Sequence, residues 1–157
     1  MTRIARIEGY AAVYGAPDLS GDIIAPGAFR GAAPAAVRML YQHAADAPIG
    51  RWTGFEERPR GLYAWGEIDL VGPRQAEIHG LLRAGALDGL SVGYRTARAR
   101  RAPGGRKILE AELWEVSVVT FPMARGARIA AVGPAIAPDE ADAAITMIRR
   151  ARDAIVA

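Results

Sequence analysis

Gly89-Leu90-Ser91-Val92-Gly93, continued by Tyr94-Arg95-Thr96-Ala97-Arg98-Ala99-Arg100, is the stretch on which the fold turns. Its first five residues match G-x-S-x-G, the nucleophile elbow of α/β-hydrolases, where a helix follows the serine at once and the partner histidine comes further along the chain. Neither condition is met. The residues after Ser91 read as a strand, and both histidines, His43 and His79, precede it. Leu90 to Arg100 and Ile108 to Phe121 form two long β-like runs separated by the turn signal Pro103-Gly104-Gly105, which predicts a hairpin. Ser91 is therefore a nucleophile only if its base comes from earlier in the chain.

Upstream of the hairpin the pattern stays β-rich. Ile4 to Tyr14 reads as a strand ending at Gly15, and Gly15 to Asp22 as a turn-rich loop. A short helix is expected around Phe29, interrupted at Pro34. Val37 to His43 reads as a strand with His43 at its end. Pro48 to Glu57 and Leu62 to Leu70 make a further pair across Arg58-Pro59-Arg60-Gly61, so a meander is expected. Pro73 fits the first position of a helix closed by Gly85, with Ile78, Leu81 and Leu82 on one face and His79 one position off it. Trp52, Trp65 and Trp114 fall in predicted strands and read as core rather than as a platform for stacked bases.

Downstream, the composition changes at Gly133. A linker and a helix over Asp139 to Val156 are expected, with Asp139 as N-cap, Glu140 and Asp142 in the first turn, and Arg149, Arg150 and Arg152 near the end, an order that complements the helix dipole. The chain thus divides into a body over residues 1–132 and a helical tail over residues 133–157.

Composition narrows the chemistry. The chain has 157 residues, 51% of them apolar, with 20 Lys plus Arg against 17 Asp plus Glu, which suits one compact domain with a modest core. Cysteine is absent, excluding disulfide scaffolds, thiolate metal sites and cysteine nucleophiles, with a reducing cytoplasm as the default compartment. No apolar run approaches the roughly 20 residues of a membrane helix, and the start lacks a signal peptide's apolar stretch, so a soluble protein that is not exported is expected. The formal charge is +3 and 19 of the 20 basic residues are Arg. The basic run Arg95, Arg98, Arg100, Arg101, Arg106 and Lys107 surrounds the hairpin tip without interleaved aromatics, so it reads as a solvated surface and nucleic acid is not an expected partner. Gly21-Asp22 offers one carboxylate with no clustered ligands and reads as a turn, not a metal site.

One constellation remains: His43 at a strand end, Ser91 on another strand, and Glu115 inside the apolar run Leu113-Trp114-Glu115-Val116-Ser117-Val118-Val119. A buried carboxylate is costly unless paired, and His43 is a partner that would account for it. Each residue alone has a bland reading: a surface histidine, a serine packed between glycines, a solvated glutamate. The trypsin-like order of His43, then Asp69 or Asp88, then Ser91 needs two barrels and a longer chain. The conjunction fits instead a compact β domain in which His43 takes the proton of Ser91 and an acid orients the imidazole.

Several ordered motifs resemble the prohead (capsid maturation) serine proteases of tailed phages. Gly9-Tyr10, Gly21-Asp22-Ile23-Ile24, Pro26-Gly27-Ala28-Phe29, Leu40-Tyr41-Gln42-His43 and Pro48-Ile49-Gly50 match the front half of that family. Gly85-Ala86-Leu87-Asp88-Gly89-Leu90-Ser91-Val92-Gly93-Tyr94 and Leu113-Trp114-Glu115-Val116-Ser117-Val118-Val119-Thr120-Phe121-Pro122 match the back half, so the resemblance spans roughly residues 4–132. It implies a β-rich (α+β) fold: a single compact antiparallel β-barrel with a few flanking helices, related to herpesvirus assemblin. It implies a serine endopeptidase with His43 as general base and Ser91 as nucleophile. Assemblin's third member is a histidine after the serine; Glu115 takes that place in the order here, with Glu112 and Glu110 as alternatives. Similarity to assemblin places the oxyanion hole at the backbone of Arg125 and Gly126. No metal or cofactor is implied. The implied partners are the major capsid protein and its scaffold segment, which the enzyme would cut along with itself, and a second copy of the chain in a dimer, with no membrane. The implied setting is the immature procapsid in the cytoplasm of a bacterial host. The competing reading is a non-catalytic capsid assembly or scaffold factor with a degenerate site.

Overall fold

The computed structural model describes residues 2–156 and is β-rich with few helices. Its elements are β1 (Arg3–Val13), β2 (Ile23–Ile24), β3 (Arg38–Tyr41), β4 (Pro48–Arg58), β5 (Gly61–Leu70), α1 (Pro73–Arg83), β6 (Gly89–Ala102), β7 (Gly105–Val119), β8 (Ile129–Ile136) and α2 (Pro138–Val156). The segment around Phe29 forms turns instead of the expected helix, and Pro34 opens a single 3-10 turn over Pro34–Ala36 rather than ending a helix. Proline's fixed φ suits a first helical residue, so it starts that turn.

The strands form one eight-stranded sheet in the order β2-β7-β3-β4-β5-β1-β8, with β6 paired to β7. The β-rich fold with few helices implied by the family resemblance is present, but the sheet is not antiparallel throughout. The sheet is mixed, because β2 and β3 both run parallel to β7, and its named strands do not form a closed ring. The cause lies in how β7 is shared. One edge is occupied by β6 across the tight Pro103-Gly104 turn, and β2 and β3 divide the other, at Lys107–Ile108 and Glu115–Val118. The short segment Ala127–Ile129 lies between β6 and β1, bonding to Asp88 and Leu90 on one side and accepting from Tyr10 N–H on the other.

The hydrophobic core fills the inner face, where Ile7, Met39, Ile49, Ile68, Leu90, Ile108, Val116 and Val118 are fully buried. Trp52 joins them and donates its indole N–H to Val116 O at 3.2 Å. Trp65 and Trp114 do not belong to this core, with exposures of 37% and 56%. Trp114 is the extra residue of a bulge: Gly93 pairs with Glu115 and Tyr94 with Leu113, so Trp114 is left without a partner on β6. The bulge shifts the alternation of β7. Ala111 and Leu113 face the core before it, Val116 and Val118 after it, and Glu115 and Ser117 are thereby turned to the other face.

β8 runs through Ile136, pairing Ile4 with Ile136 and Ala5 with Ala135, so the strand crosses residues 132–133, where the sequence pattern changes. Every described side chain of α2 is exposed; those of Ala141, Ile145, Ile148, Arg149, Arg152, Asp153, Ile155 and Val156 lie outside the described residues. Among the described residues no helix is long and apolar enough to cross a membrane.

Candidate active site

Three neighbouring strands carry the candidate residues. β7 lies between β3 and β6, and its Glu115 and Ser117 sit two residues apart, on one face by strand alternation. On β6, Ser91 pairs directly with Ser117, and Gly93 with Glu115. His43 follows the end of β3, and its backbone N–H donates to Ser117 Oγ at 3.2 Å. Of the residues singled out at 43, 91 and 115, His43 and Glu115 are in direct contact beside β7, while Ser91 stands in register with Ser117 and makes no hydrogen bond to His43.

The two glycines of Gly89-Leu90-Ser91-Val92-Gly93 have steric roles of their own. A Cβ on Gly93 would lie 2.4 Å from Glu115 Oε1, so the absent side chain is what lets that carboxylate lie across β6. A Cβ on Gly89 would lie 2.6 Å from Val119 O and 2.9 Å from Pro122 Cδ. The motif is thus a close-packing motif of a hairpin, not a strand-to-helix elbow.

His43 Nδ1 lies 2.5 Å from Glu115 Oε1. The Glu115 side chain is 14% exposed against 44% for His43, so the carboxylate is largely sheltered while the ring reaches solvent. A carboxylate on Nδ1 favours the tautomer with hydrogen on that nitrogen and leaves the Nε2 lone pair free to take a proton. Glu115 Oε2 accepts from Ser117 Oγ at 2.5 Å. Glu112 and Glu110 are engaged elsewhere, Glu112 with Arg95 at 2.9 Å and Glu110 with Arg98 at 3.6 Å, both on the exposed hairpin.

The backbone at His43 is unusual. Gln42 and His43 both take positive φ, 53° and 59°, a region that side-chain-bearing residues seldom enter and that clusters at functional sites. Gln42 N–H donates to Val118 O at 2.9 Å. Its side-chain amide clasps Thr120, donating to Oγ1 at 2.7 Å and accepting from the Thr120 N–H at 3.2 Å. His79, the other histidine, is tied to Gly133 O at 2.9 Å between α1 and β8 and takes no part here.

Ser91 and His43 line the same open cleft of about 200 Å³. Ser91 is 4% exposed, and its Oγ has no hydrogen-bond partner among the described residues. The cleft runs between Ala11–Val13 of β1 and Leu90–Val92 of β6 and continues to Asp18, Asp22 and Tyr94. At that end Arg106 bonds to Asp22 at 2.7 Å and holds its carboxyl below the usual range. Burial, with the charges of Asp22 and Asp18, pushes the Tyr94 hydroxyl up to about 12. Of the loop after β7, Met123, Ala124 and Ala127 face this cleft, while Arg125 and Gly126 line an adjoining cavity that shares Met123 and Ala124 with it. Neither Arg125 N–H nor Gly126 N–H has an acceptor among the described residues. No group of three or more His, Asp or Glu among the described residues is placed to hold a metal ion.

Sequence reading missed Ser117, Gln42 and Thr120. Ser117 was discoverable, since it stands two residues from Glu115 in a strand. The Gln42–Thr120 clasp spans 78 positions and leaves no local pattern.

Comparison with known proteins places these observations in a family. The prohead protease of Enterobacteria phage HK97 is 37% identical over 133 residues, covering 80% of this chain and 59% of that protein, so the chain spans about three fifths of that relative. The protease of Kaposi's sarcoma-associated herpesvirus, solved with a hexapeptide phosphonate inhibitor, has a similar fold: TM-score 0.57, 15% identity, 83% of this chain and 65% of that one. The same herpesvirus protease solved with a dimer disruptor gives a TM-score of 0.53 at 16% identity over 94% of this chain and 90% of that one. The sequence pattern of the caudovirus prohead serine proteases matches residues 1–140, and the chain belongs to that family.

Proposed function

We propose that this chain is a serine endopeptidase that removes the scaffold segment from the major capsid protein during procapsid maturation, and cuts itself as well. The observation that carries the reading is the 2.5 Å contact of His43 Nδ1 with Glu115 at the edge of the cleft holding Ser91. Ser91 Oγ attacks the peptide carbonyl while His43 Nε2 removes its proton, and Glu115 stabilises the imidazolium that forms. His43 then gives the proton to the leaving amine. The acyl-enzyme is released by a water from which His43 takes a proton in turn. Amide donors of the loop at Arg125 and Gly126, which line the cavity adjoining the Ser91 cleft, stabilise the oxyanion, a role supported by their lack of acceptors among the described residues.

Membership of the family supports the reading of substrate and setting. The polypeptide cut is a capsid protein's scaffold segment, and the site of action is the interior of the immature procapsid in a bacterial host's cytoplasm. The likeness in fold to a herpesvirus protease solved with a dimer disruptor supports a working dimer, which sedimentation of the purified chain checks.

Co-expression with a major capsid protein that carries its scaffold segment tests the reading. The native chain is expected to yield a shortened capsid protein, and Ser91→Ala to lower the trimming rate about 10³-fold or more. Equal trimming by both chains would reject the proposal.

A further inference from the structure

Ser117 is fully buried, and its hydroxyl is the meeting point of two bonds that end on the same pair of residues. It accepts from the backbone N–H of His43 at 3.2 Å and donates to Glu115 Oε2 at 2.5 Å, while Glu115 Oε1 meets His43 Nδ1 at 2.5 Å. The result is a closed loop of bonds: His43 backbone, Ser117 hydroxyl, Glu115 carboxylate, His43 ring. A serine kept only to fill its place in a strand would bond to a nearby main-chain carbonyl. This one fixes both ends of an ion-pairing unit. Its bond to Glu115 occupies the oxygen that the histidine does not use, so the carboxylate cannot turn its plane away from the ring. Its bond to the amide of His43 falls at the second of two consecutive positive-φ residues, where the backbone most needs an external partner.

We infer that Ser117 is a positioning residue for the reaction at Ser91, setting the orientation of Glu115 and the backbone of His43 without touching substrate. Its direct register with Ser91 supports this role, because movement of β7 at this point would shift the base and the nucleophile relative to each other. The inference rests on the peptidase reading and deepens it. Outer partners that orient metal-bound histidines affect affinity or activity by about 10–100-fold, and the same scale is taken for this unit.

Three measurements test it. With a peptide spanning the scaffold cleavage junction, Ser117→Ala is expected to lower kcat by about 10–100-fold and leave KM within about twofold, since no substrate contact is removed. In the inactive Ser91→Ala chain, NMR of the imidazole is expected to show a low-field Nδ1–H signal for His43 that a Ser117→Ala, Ser91→Ala double variant loses or shifts. In the same Ser91→Ala chain, without any change at Ser117, the His43 amide is expected to exchange at least about tenfold more slowly than a free loop amide. The last measurement tests the bond from the His43 amide even if Ser117→Ala fails to fold. A Ser117→Ala kcat within about threefold of native, an unmoved Nδ1–H signal, or a freely exchanging His43 amide would overturn the inference. Undiminished cleavage by Ser91→Ala would instead overturn the peptidase reading, while the two spectroscopic results still report on Ser117.

Discussion

At the scale of single residues, Gly93 is the sharpest place to separate activity from stability. An alanine there places Cβ 2.4 Å from Glu115 Oε1 and 2.8 Å from its Cγ, and the obstacle is the far end of a flexible side chain rather than backbone. The carboxylate gives way by surrendering its bonds to His43 and Ser117, and no backbone has to move. Gly93→Ala is therefore expected to fold with a melting temperature within about 5 °C of the native chain and to cut at least about 10²-fold more slowly, because His43 loses the group that fixes its tautomer. Thermal denaturation and a cleavage assay on one preparation check both halves. Glu115→Gln asks the same question through charge. The amide fits the space yet can present N–H to Nδ1, which stabilises the wrong tautomer, so a loss of about 10³-fold or more in kcat is expected with the fold unchanged. Wild-type turnover from either variant would remove Glu115 from the site. The His43–Glu115 contact was legible in the sequence because each is an odd residue for its surroundings, one of two histidines and an acid in an apolar run, as is Ser91, a serine between glycines. The two positive-φ values at Gln42 and His43 were not, since neither residue type announces that conformation.

At the scale of elements, the long β6–β7 hairpin is latched to the loop that precedes β2. Gly21 and the hairpin tip pack so closely that a Cβ on Gly21 would lie 2.0 Å from Gly104 O, and one on Gly105 2.2 Å from Gly21 O. Arg106 closes the latch on Asp22 at 2.7 Å. The Asp22 side chain is 13% exposed and its carboxyl titrates below its ordinary value of 3.8, chiefly through the hydrogen bond from Arg106. A carboxylate with a depressed native pKa adds stability above its unfolded pKa and loses it as pH falls through the folded one. Asp22→Asn is accordingly expected to be less stable than the native chain at pH 7. The difference should shrink as the pH is lowered from about 4 through the depressed native value. Urea unfolding of both chains at several pH values checks this, and a constant difference would count against the latch. The hairpins, α1 and the meander were legible because turn residues and alternation mark them locally. The two-residue β2, the parallel pairing of β3 with β7 and the bulge at Trp114 were not. Each depends on which remote strand lies alongside, and a bulge reverses the in–out pattern without changing residue types.

At the scale of the whole molecule, the question is where the folded body stops. The sequence changes character at Gly133, yet β8 continues to Ile136, where that residue pairs with Ile4, and His79 on α1 bonds to Gly133 O. Beyond it, every described side chain of α2 is exposed. Two truncations therefore behave differently. A chain ending at Ala137 keeps the whole β1–β8 ladder and is expected to melt within about 3 °C of the full chain. A chain ending at Val132 forfeits the pairs at Ile136 and Ala135 and leaves His79 without its acceptor. Losing those bonds and the partly buried Ile136 costs about 1–3 kcal/mol, since each net hydrogen bond is worth about 1 kcal/mol and apolar burial adds to it. For a body of this size that corresponds to a fall of roughly 3–10 °C in melting temperature. Calorimetry on the two truncations decides. If ending the chain at Ala137 lowers the melting point as far as ending it at Val132, α2 is part of the fold and not a tail. If the two differ in the expected order, the body ends at β8, and the helix is free to be cut from the chain or to engage a partner without disturbing the cleft that holds Ser91.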